Sequence, residues 1–364
     1  MLKKEELAYF VAVHAATFLG ARKMLSLVEK LGGARAVWEA EPGALLEAGL
    51  SDSRVAALVQ ARQSADPEAD FEALSRKGMQ VTTIRDAVYP EALRNIYDPP
   101  AVLYCLGTPE SLNTQALAVV GSRNCSAYGR KVAFSLGHDL ARAGYWVVSG
   151  LARGIDTEVH LGVLAAGGRT VAVMGSGLEV VYPRENARLF ARIAETGLVL
   201  SEFPPQTPPE PKNFPIRNRI ISGLSRGVVV VEAAARSGAL ITADFALEQG
   251  RDVFAVPGPI NVKTSQGTNN LIKQGAKLVT CVEDILEEYQ LVLRSQEPER
   301  AGHSLGPDAE RVLALLGSEP VHLDRLVAAT HLSAGTLASL LLQMEFRGII
   351  EELPGNYFVK LRDL

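Results

Sequence analysis

Cationic, hydroxyl and glycine residues stand where short apolar runs of the sequence stop, and this combination suits binding of an anion. The run LAVVG ends in Gly121-Ser122-Arg123, and the run YWVVSG is followed closely by Arg153. If each run is a strand that leads into a helix, these turns present backbone N–H groups, a helix N-terminus and guanidinium groups. We therefore expect Ser122, Arg123 and Arg153 to bind phosphate.

A second group of candidate ligands follows a proline-rich segment. Residues 202–215, EFPPQTPPEPKNFP, hold six of the 19 prolines, which predicts a stiff, extended segment and no helix. The candidates that it delivers are Lys212, Phe214, Arg217, Asn218 and Arg219. Cations that hold a backbone beside an aromatic ring that stacks on a base are typical of single-strand binding. If a helix begins at Pro215, Arg217 and Arg219 point about 200° apart, so one should face the ligand and the other should be structural.

Seven apolar, β-branched runs predict the strands that position these residues. From residue 117 they alternate with helical stretches, in the order LAVVG, YWVVSG, RTVAVMG, GLVLSE, GVVVVEA, DVFAVPG and AKLVT. Parallel neighbours need crossovers and bury both faces, so we predict an α/β fold over 117–290: an extended Rossmann-like, doubly wound, mostly parallel sheet. Ligands bind such sheets at the carboxyl ends of the strands. The partial GxGxxG at Gly175-Ser176-Gly177 is a weak indication of a dinucleotide.

The flanking segments predict two smaller units. Residues 1–65 have the pattern of short helices, similar to a SAM-like or helix-hairpin-helix domain, although the hairpin at 18–21 lacks the second glycine that DNA binding would need. Residues 66–116 are rich in proline turns and are predicted to be a connector that leads into the sheet domain. After a polar linker at 291–306, residues 307–364 show three helical patterns and a two-stranded ribbon, which is typical of a winged helix.

The distribution of charge restricts where nucleic acid could bind. The 364 residues include 37 Lys+Arg and 41 Asp+Glu, and this net charge of −4 excludes an indiscriminate polycation. Residues 117–285 nevertheless carry 18 basic and 14 acidic residues, whereas the two flanks together have a net charge of −8. The winged unit, with five basic and eight acidic residues over 308–364, is therefore expected to contact protein or to be structural.

Composition and the absence of several motifs exclude further classes of protein. Cys105, Cys125 and Cys281 fit no ligand spacing, so we expect a reducing compartment, no disulfide and no metal. The sequence contains no GxxxxGK[ST], GxSxG or HExxH motif, and no cofactor is predicted. The apolar stretch 7–19 has helical periodicity behind two glutamates, which favours an amphipathic helix over a signal peptide. A cytoplasmic protein without a membrane span is expected.

Structural roles compete with the functional ones at several positions. His160 lies four residues after Asp156, a spacing that fits an acid/base pair and equally a local hydrogen bond at a helix start. An arginine at the sheet edge can pair with a carboxylate, here Glu202 or Glu232. Phe214 can instead cap the core beneath the proline-rich segment.

An ordered series of segments across residues 80–285 resembles a known family, the bacterial DNA-processing proteins called DprA or Smf. The segments are GSRNCSAYG, SGLARGIDTEVH, TVAVMGSGLEVVYPREN, LSEFPP, NFPIRNRIISGLSRGVVVVEAAARSGALITADFALEQGRDVFAVPG and GTNNLIKQGAKLV. The resemblance implies a non-enzymatic protein that binds single-stranded DNA, forms a homodimer through its Rossmann-like domain and helps to load the RecA recombinase on incoming strands during natural transformation. The DNA contacts that it implies are Arg123, Arg184 after Tyr182-Pro183, Lys212, Phe214, Arg217 and Asn218.

The alternative is an enzyme, a Rossmann-type nucleotide phosphoribohydrolase similar to the lysine-decarboxylase-like enzymes. Those enzymes carry a PGGxGTxxE signature and use acids at strand ends. The corresponding region here, VEAAARSGALITADFALEQG, lacks PGG, and Glu232 would have to supply the acid.

Overall fold

The computed structural model describes residues 4–109, 115–289, 307–317, 320–330, 332–346, 350–353 and 355–360. Two compact units divide the chain, the first over 1–293 and the second over 294–364. The predicted linker at 291–306 lies outside the described residues.

Six helices open the first unit: α1 (Lys4–Thr17), α2 (Ala21–Leu31), α3 (Ala34–Glu39), α4 (Pro42–Glu47), α5 (Asp52–Arg62) and α6 (Pro67–Arg76). α6 lies within the segment that was predicted to be a connector. Proline is well tolerated in the first turn of a helix, and the Asp66 carboxylate caps the first free amides of α6. The helices do not pack separately from the sheet, because Phe10 and Met24 share one core with Tyr104 and Met174.

A nine-stranded sheet forms the centre of this unit. Its strands are β1 (Gln80–Thr83), β2 (Val102–Gly107), β3 (Ala116–Val120), β4 (Trp146–Ser149), β5 (Thr170–Val173), β6 (Leu198–Ser201), β7 (Gly227–Val230), β8 (Asp252–Ala255) and β9 (Lys277–Leu278). The spatial order is β1-β2-β6-β5-β4-β3-β7-β8-β9. All seven predicted runs contain strands, and each pairs in parallel with its neighbours among these seven.

The predicted connector was wrong in one further respect, because residues 66–116 also supply two strands of the sheet. β1 and β2 pair with each other antiparallel, and β2 pairs antiparallel with β6. The prolines at 99 and 100 fall in the loop between the two strands, where a missing amide breaks no ladder. The sheet therefore begins at residue 80.

Helices cover both faces of the sheet. They are α7 (Glu91–Arg94), α8 (Ala127–Arg142), α9 (Ile155–Ala165), α10 (Ala187–Thr196), α11 (Asn213–Gly223), α12 (Gly238–Glu248), α13 (Gln266–Lys273) and α14 (Glu283–Glu288). Successive residues of β3 enter different cores, since Leu117 and Val119 pack on one face and Ala118 and Val120 on the other. Residues 202–212 contain no helix, as predicted, but the prediction was wrong for 213–215, because α11 begins two residues before Pro215.

β3 is the strand at which the winding of the sheet reverses. It pairs in parallel with β4 on one side and with β7 on the other. The chain winds outward from β3 through β4, β5 and β6, and then returns across the sheet to β7. The connections that leave β3 and β7 diverge, which opens a cleft at the carboxyl ends of the strands.

The second unit has three helices, α15 (Pro307–Leu315), α16 (Leu323–Thr330) and α17 (Ala334–Phe346), and three short strands, β10 (Val321–His322), β11 (Ile350–Leu353) and β12 (Tyr357–Lys360). The strands form an antiparallel sheet in the order β10-β12-β11. Val312, Leu326, Leu341 and Phe358 are buried in its core. The predicted winged helix is confirmed, with β10 added to the ribbon. Across the described ranges of both units, no helix has the length and apolar character to cross a membrane.

The hairpin between α1 and α2 packs against the sheet part of the first unit. The rings of Phe18 and Phe203 stack nearly parallel, with centroids 5.2 Å apart. A Cβ atom at Gly20 would lie 2.7 Å from Oδ1 of Asp98, so a larger residue here would displace that side chain. The loop that would contact DNA in a helix-hairpin-helix domain is thus engaged within the protein.

Candidate nucleic-acid interface

The cleft at the reversal point encloses about 590 Å³ and is lined by the loop after β3 and by residues of α9, α11 and α12. We call it the switch-point cleft. Five of the nine predicted ligands line it: Ser122, Arg123, Phe214, Arg217 and Asn218. The other four, Arg153, Arg184, Lys212 and Arg219, lie outside its lining.

Phe214 contacts both a cation and a second aromatic ring in this cleft. The guanidinium carbon of Arg123 lies 5.0 Å from the centroid of the Phe214 ring, and the Tyr182 ring lies 5.7 Å from it at an angle of 47°. Phe214 is half-buried and Tyr182 is 38% exposed, so neither ring belongs to the core. Aromatic faces with a cation above them can hold a nucleobase and its phosphate together.

The partial glycine motif serves packing. A Cβ atom at Gly175 would lie 2.7 Å from the Phe214 ring, and one at Gly177 would lie 2.1 Å from the carbonyl oxygen of Pro204. These two glycines therefore seat the ring and the proline-rich segment directly against the end of β5. This use of both glycines removes the indication of a dinucleotide.

The two arginines of α11 have different partners, as the helix geometry predicted. Nη2 of Arg219 lies 2.6 Å from Oε1 of Glu202, and both side chains are buried. Nε of Arg219 also lies 3.4 Å from Oδ2 of Asp98. The structure therefore gives Arg219 the structural role, and its prediction as a ligand is not supported by its position. The sequence could not show which side of α11 faces Glu202.

Arg217 lines the switch-point cleft, and its guanidinium is held by backbone carbonyl oxygens at the ends of β4 and β5. Nη1 donates to the carbonyl oxygens of Gly150, at 2.8 Å, and Val173, while Nε donates to Oδ1 of Asn218 at 3.2 Å. Burial lowers the pKa of Arg217 to about 10, which leaves it charged at neutral pH. It is a fixed positive charge in the wall of the cleft.

Carboxylates accept backbone N–H groups at the start of α8 and in the loop before α9. At α8, the Ser126 hydroxyl accepts the N–H of Gly129 at 3.0 Å and donates to Glu232, which also accepts the N–H of Ser126 at 2.9 Å. Before α9, Asp156 accepts the N–H of Gly150 at 3.1 Å. Glu232, which follows β7, thus takes the amide of Ser126 at the start of α8, and phosphate binding by the amides there stays a prediction. The arginines of the cleft are therefore the groups best placed to bind an anion.

Three predicted cations lie around the cleft on the surface. Arg153 pairs with Glu185 and lines a small pocket that Phe214 and Tyr182 also line. Lys212 is exposed, and its Nζ lies 2.7 Å from Oε2 of Glu210. Arg184 is exposed at the start of a 3-10 turn (Arg184–Asn186) and forms no ion pair with a described residue. Of these three cations, Arg184 is therefore the one without an ion pair among the described residues.

His160 and Asp156 do not form an acid/base pair. Nδ1 of His160 lies 2.7 Å from Oγ1 of Thr170, and the histidine is fully buried. Burial, with a smaller effect of Arg217, lowers the pKa of His160 to about 3. His160 is therefore neutral and structural. His14, buried in α1, has its pKa lowered to about 4, by burial first and by Arg219 second.

These two histidines predict how stability depends on pH. Each is neutral in the folded protein down to its lowered pKa, whereas the unfolded chain takes up a proton near pH 6.5. Their contribution to the free energy of unfolding is complete above about pH 6.5 and is lost as pH falls toward 4. Over this range each residue lowers the free energy of unfolding by about 1.4 kcal/mol per pH unit. Urea denaturation of His160→Asn between pH 6.5 and 4.5 should show a slope smaller by about this amount. Equal slopes for the variant and the wild type would contradict this.

Some lining residues were not predicted. Tyr182 was noted only as the residue before Pro183, and Asn124 and the start of α12 were not proposed. The signal for Tyr182 was available, because an exposed aromatic residue directly before a cation repeats the pattern of Phe214. Nothing local in the sequence marked the start of α12.

The fold and site define a Rossmann-like α/β protein with a cationic, aromatic cleft where its sheet reverses. Residues 80–290 match the family described as DNA recombination-mediator protein A, and residues 296–356 match the DprA winged helix domain. The chain belongs to the DprA (Smf) family of DNA-processing recombination mediators.

Similar proteins cover most of the chain. It is 34% identical to Protein Smf of Synechocystis sp. over 97% of this chain and 98% of that protein, and 45% identical to Protein Smf of Escherichia coli over 75% of each. The X-ray structure of DprA from Streptococcus pneumoniae is 38% identical, covers 79% of this chain and 98% of its own, and superposes with a TM-score of 0.67. DNA processing protein A from Helicobacter pylori, described by its single-stranded DNA binding mode, is 30% identical over 58% of this chain and 96% of its own, with a TM-score of 0.53.

Proposed function

We propose that this mediator binds single-stranded DNA in the switch-point cleft and has no catalytic activity of its own. The observation that carries the proposal is the cluster of Arg123, Phe214 and Tyr182. A base stacks on the exposed aromatic surface of Tyr182 and Phe214 while Arg123 neutralises its phosphate. The description of the H. pylori relative as a single-strand binder supports the same ligand class.

Selectivity for single strands follows from the recessed position of Phe214. Bases in a duplex are already stacked on one another, so a ring in a cleft reaches them only after they are unpaired. A single strand presents its bases without this penalty, and each stacked base contributes about 1–3 kcal/mol. The acidic flanks of the chain further disfavour broad adhesion to duplex DNA.

The position of Glu232 favours a binding role over the phosphoribohydrolase alternative. Glu232 is 4% exposed, caps α8 through Ser126 and does not line the cleft. A general acid must reach the substrate, and this carboxylate is turned away from the space where a nucleotide would bind. Release of free base from a nucleoside monophosphate, abolished by Glu232→Gln, would restore the alternative.

Titrations of a labelled oligonucleotide with the full chain test the proposal. Fluorescence anisotropy should show tighter binding to a single strand than to the same sequence as a duplex, and weaker binding as salt rises. Arg123→Ala should reduce the slope of log affinity against log salt by about 0.7, the value for one phosphate contact on a single strand. Unchanged affinity and slope in this variant would contradict the assignment.

We further propose that the bound strand is passed to the RecA recombinase during natural transformation, in the cytoplasm, by a homodimer formed through the Rossmann-like domain. Family membership supports this role. The net negative charge of the winged unit favours a protein contact there. A pull-down of RecA by the full chain and by a chain that ends at residue 290 tests whether the winged unit is required, and sedimentation tests the dimer.

A further inference from the structure

A row of arginines leads away from the switch-point cleft along the 3-10 turn and α10. Arg184, Arg188 and Arg192 recur every four residues, so they share one side of the helical segment, and all three are exposed. The opposite side of α10 carries Leu189, Phe190 and Ile193, which are buried against the sheet. We call Arg184, Arg188 and Arg192 the arginine row.

The acids nearest to the arginine row, Glu185 and Glu195, form no ion pair with it among the described residues. None of its members forms an ion pair with a described residue, and Glu185, the acid next to Arg184, is already paired with Arg153. The residues between the arginines on this side, Ala187 and Ala191, are exposed and too small to cover them. Glu195 lies on the same side beyond the last arginine and ends the row. Concentrated, unpaired positive charge of this kind attracts an anionic polymer.

The position of the row fits a strand that leaves the cleft. Arg184 follows Tyr182 by two residues, and Tyr182 lines both the cleft and the neighbouring small pocket. α10 connects β5 to the parallel strand β6, so it runs from the cleft toward the opposite edge of the sheet. Four helical residues advance about 6 Å, so the row extends about 12 Å, the length of about two to four nucleotides.

We propose that the arginine row binds the phosphates of the DNA segment that extends beyond the switch-point cleft. This inference rests on the proposed function of the cleft and adds the path and length of the bound strand. The contacts are electrostatic and independent of sequence, because exposed guanidinium groups meet the backbone and the aromatic residue of α10, Phe190, is buried on the opposite side of that helix. Affinity should therefore increase with oligonucleotide length until the row is covered.

The test compares Arg188→Ala/Arg192→Ala with the wild type, using oligothymidines of about four and about twenty nucleotides. Alanine keeps the exposed helix intact, so the variant should fold. We expect wild-type affinity for the short strand, and about tenfold weaker binding of the long strand at low salt. The salt slope for the long strand should fall by about 1.4, because two phosphate contacts are lost. The matched control is Arg76→Ala/Arg142→Ala, which removes two exposed arginines from α6 and α8 and should behave as the wild type.

The outcomes separate the two proposals. If the wild type binds neither strand, the proposed function of the cleft fails. If the wild type binds both strands and the α10 variant keeps the full gain in affinity with length and an unchanged salt slope, the cleft proposal stands and the arginine row is overturned. If the control variant loses as much affinity as the α10 variant, the effect is one of overall charge, which also overturns the row.

Discussion

Replacing Phe214 with alanine is expected to weaken binding of single-stranded DNA by about 10- to 100-fold. The variant removes the ring on which a base stacks, and such a contact is worth about 1–3 kcal/mol, where 1.4 kcal/mol is tenfold. It also removes the surface over which Arg123 is held. The fold should persist, because Phe214 is half-buried and outside the core clusters. Anisotropy titration of the full chain measures the loss.

Two companion variants make this result specific. Phe134→Ala removes a ring that is 38% exposed on α8 and does not line the cleft, and this variant should bind as the wild type does. Gly175→Ala should weaken binding while Phe214 is still present, because the new Cβ atom would lie 2.7 Å from the ring and displace it. An affinity of Phe214→Ala within twofold of the wild type would show that the ring contacts no base.

The second large effect concerns Arg219. Its replacement by alanine is expected to lower the free energy of unfolding by about 3–5 kcal/mol, because the Glu202 carboxylate is left buried without its partner. DNA affinity of the folded variant should stay within twofold of the wild type, since Arg219 does not line the cleft. Urea denaturation measures the stability, and anisotropy below the transition measures the affinity.

A double variant separates loss of the ion pair from loss of packing. Arg219→Met with Glu202→Leu fills the same space without charges and should be more stable than Arg219→Ala, because a buried pair is often replaceable by apolar groups of similar volume. A loss of affinity in Arg219→Ala at unchanged stability would return Arg219 to the DNA-binding residues and contradict the structural role.

The strands of the fold could be predicted because their signal is local. Each of the seven runs is apolar, short and bounded by a turn, so both their identity and their parallel arrangement follow from the sequence. β1 and β2 were missed because they are antiparallel additions without a crossover helix, and because prolines stand in the loop between them. α6 was missed because the prolines of residues 66–116 were read together as turns, whereas Pro67 stands in the first turn of a helix.

The parts of the candidate site that could be predicted are those set by the position of a residue at a strand end or on a helix. The approach of Arg123 to Phe214, and the opposed directions of Arg217 and Arg219, follow from strand ends and helix periodicity. Glu202 was named as a possible partner of an arginine at the sheet edge, but the sequence could not show that this arginine is Arg219. The cap of α8 could not be predicted, because Glu232 comes from a distant segment. Which cations are free for a ligand depends on these long-range carboxylates.

Photocrosslinking tests the central claim most directly, because it shows where on the chain a base lies. A single-stranded oligonucleotide that carries 5-iododeoxyuridine would be irradiated in complex with the full chain, and the attached peptides would be identified by mass spectrometry. The predicted result is attachment at Phe214 or Tyr182, lost when the strand is replaced by a duplex. Attachment confined to the N-terminal helices or to the winged unit would contradict the proposal that single-stranded DNA binds in the switch-point cleft.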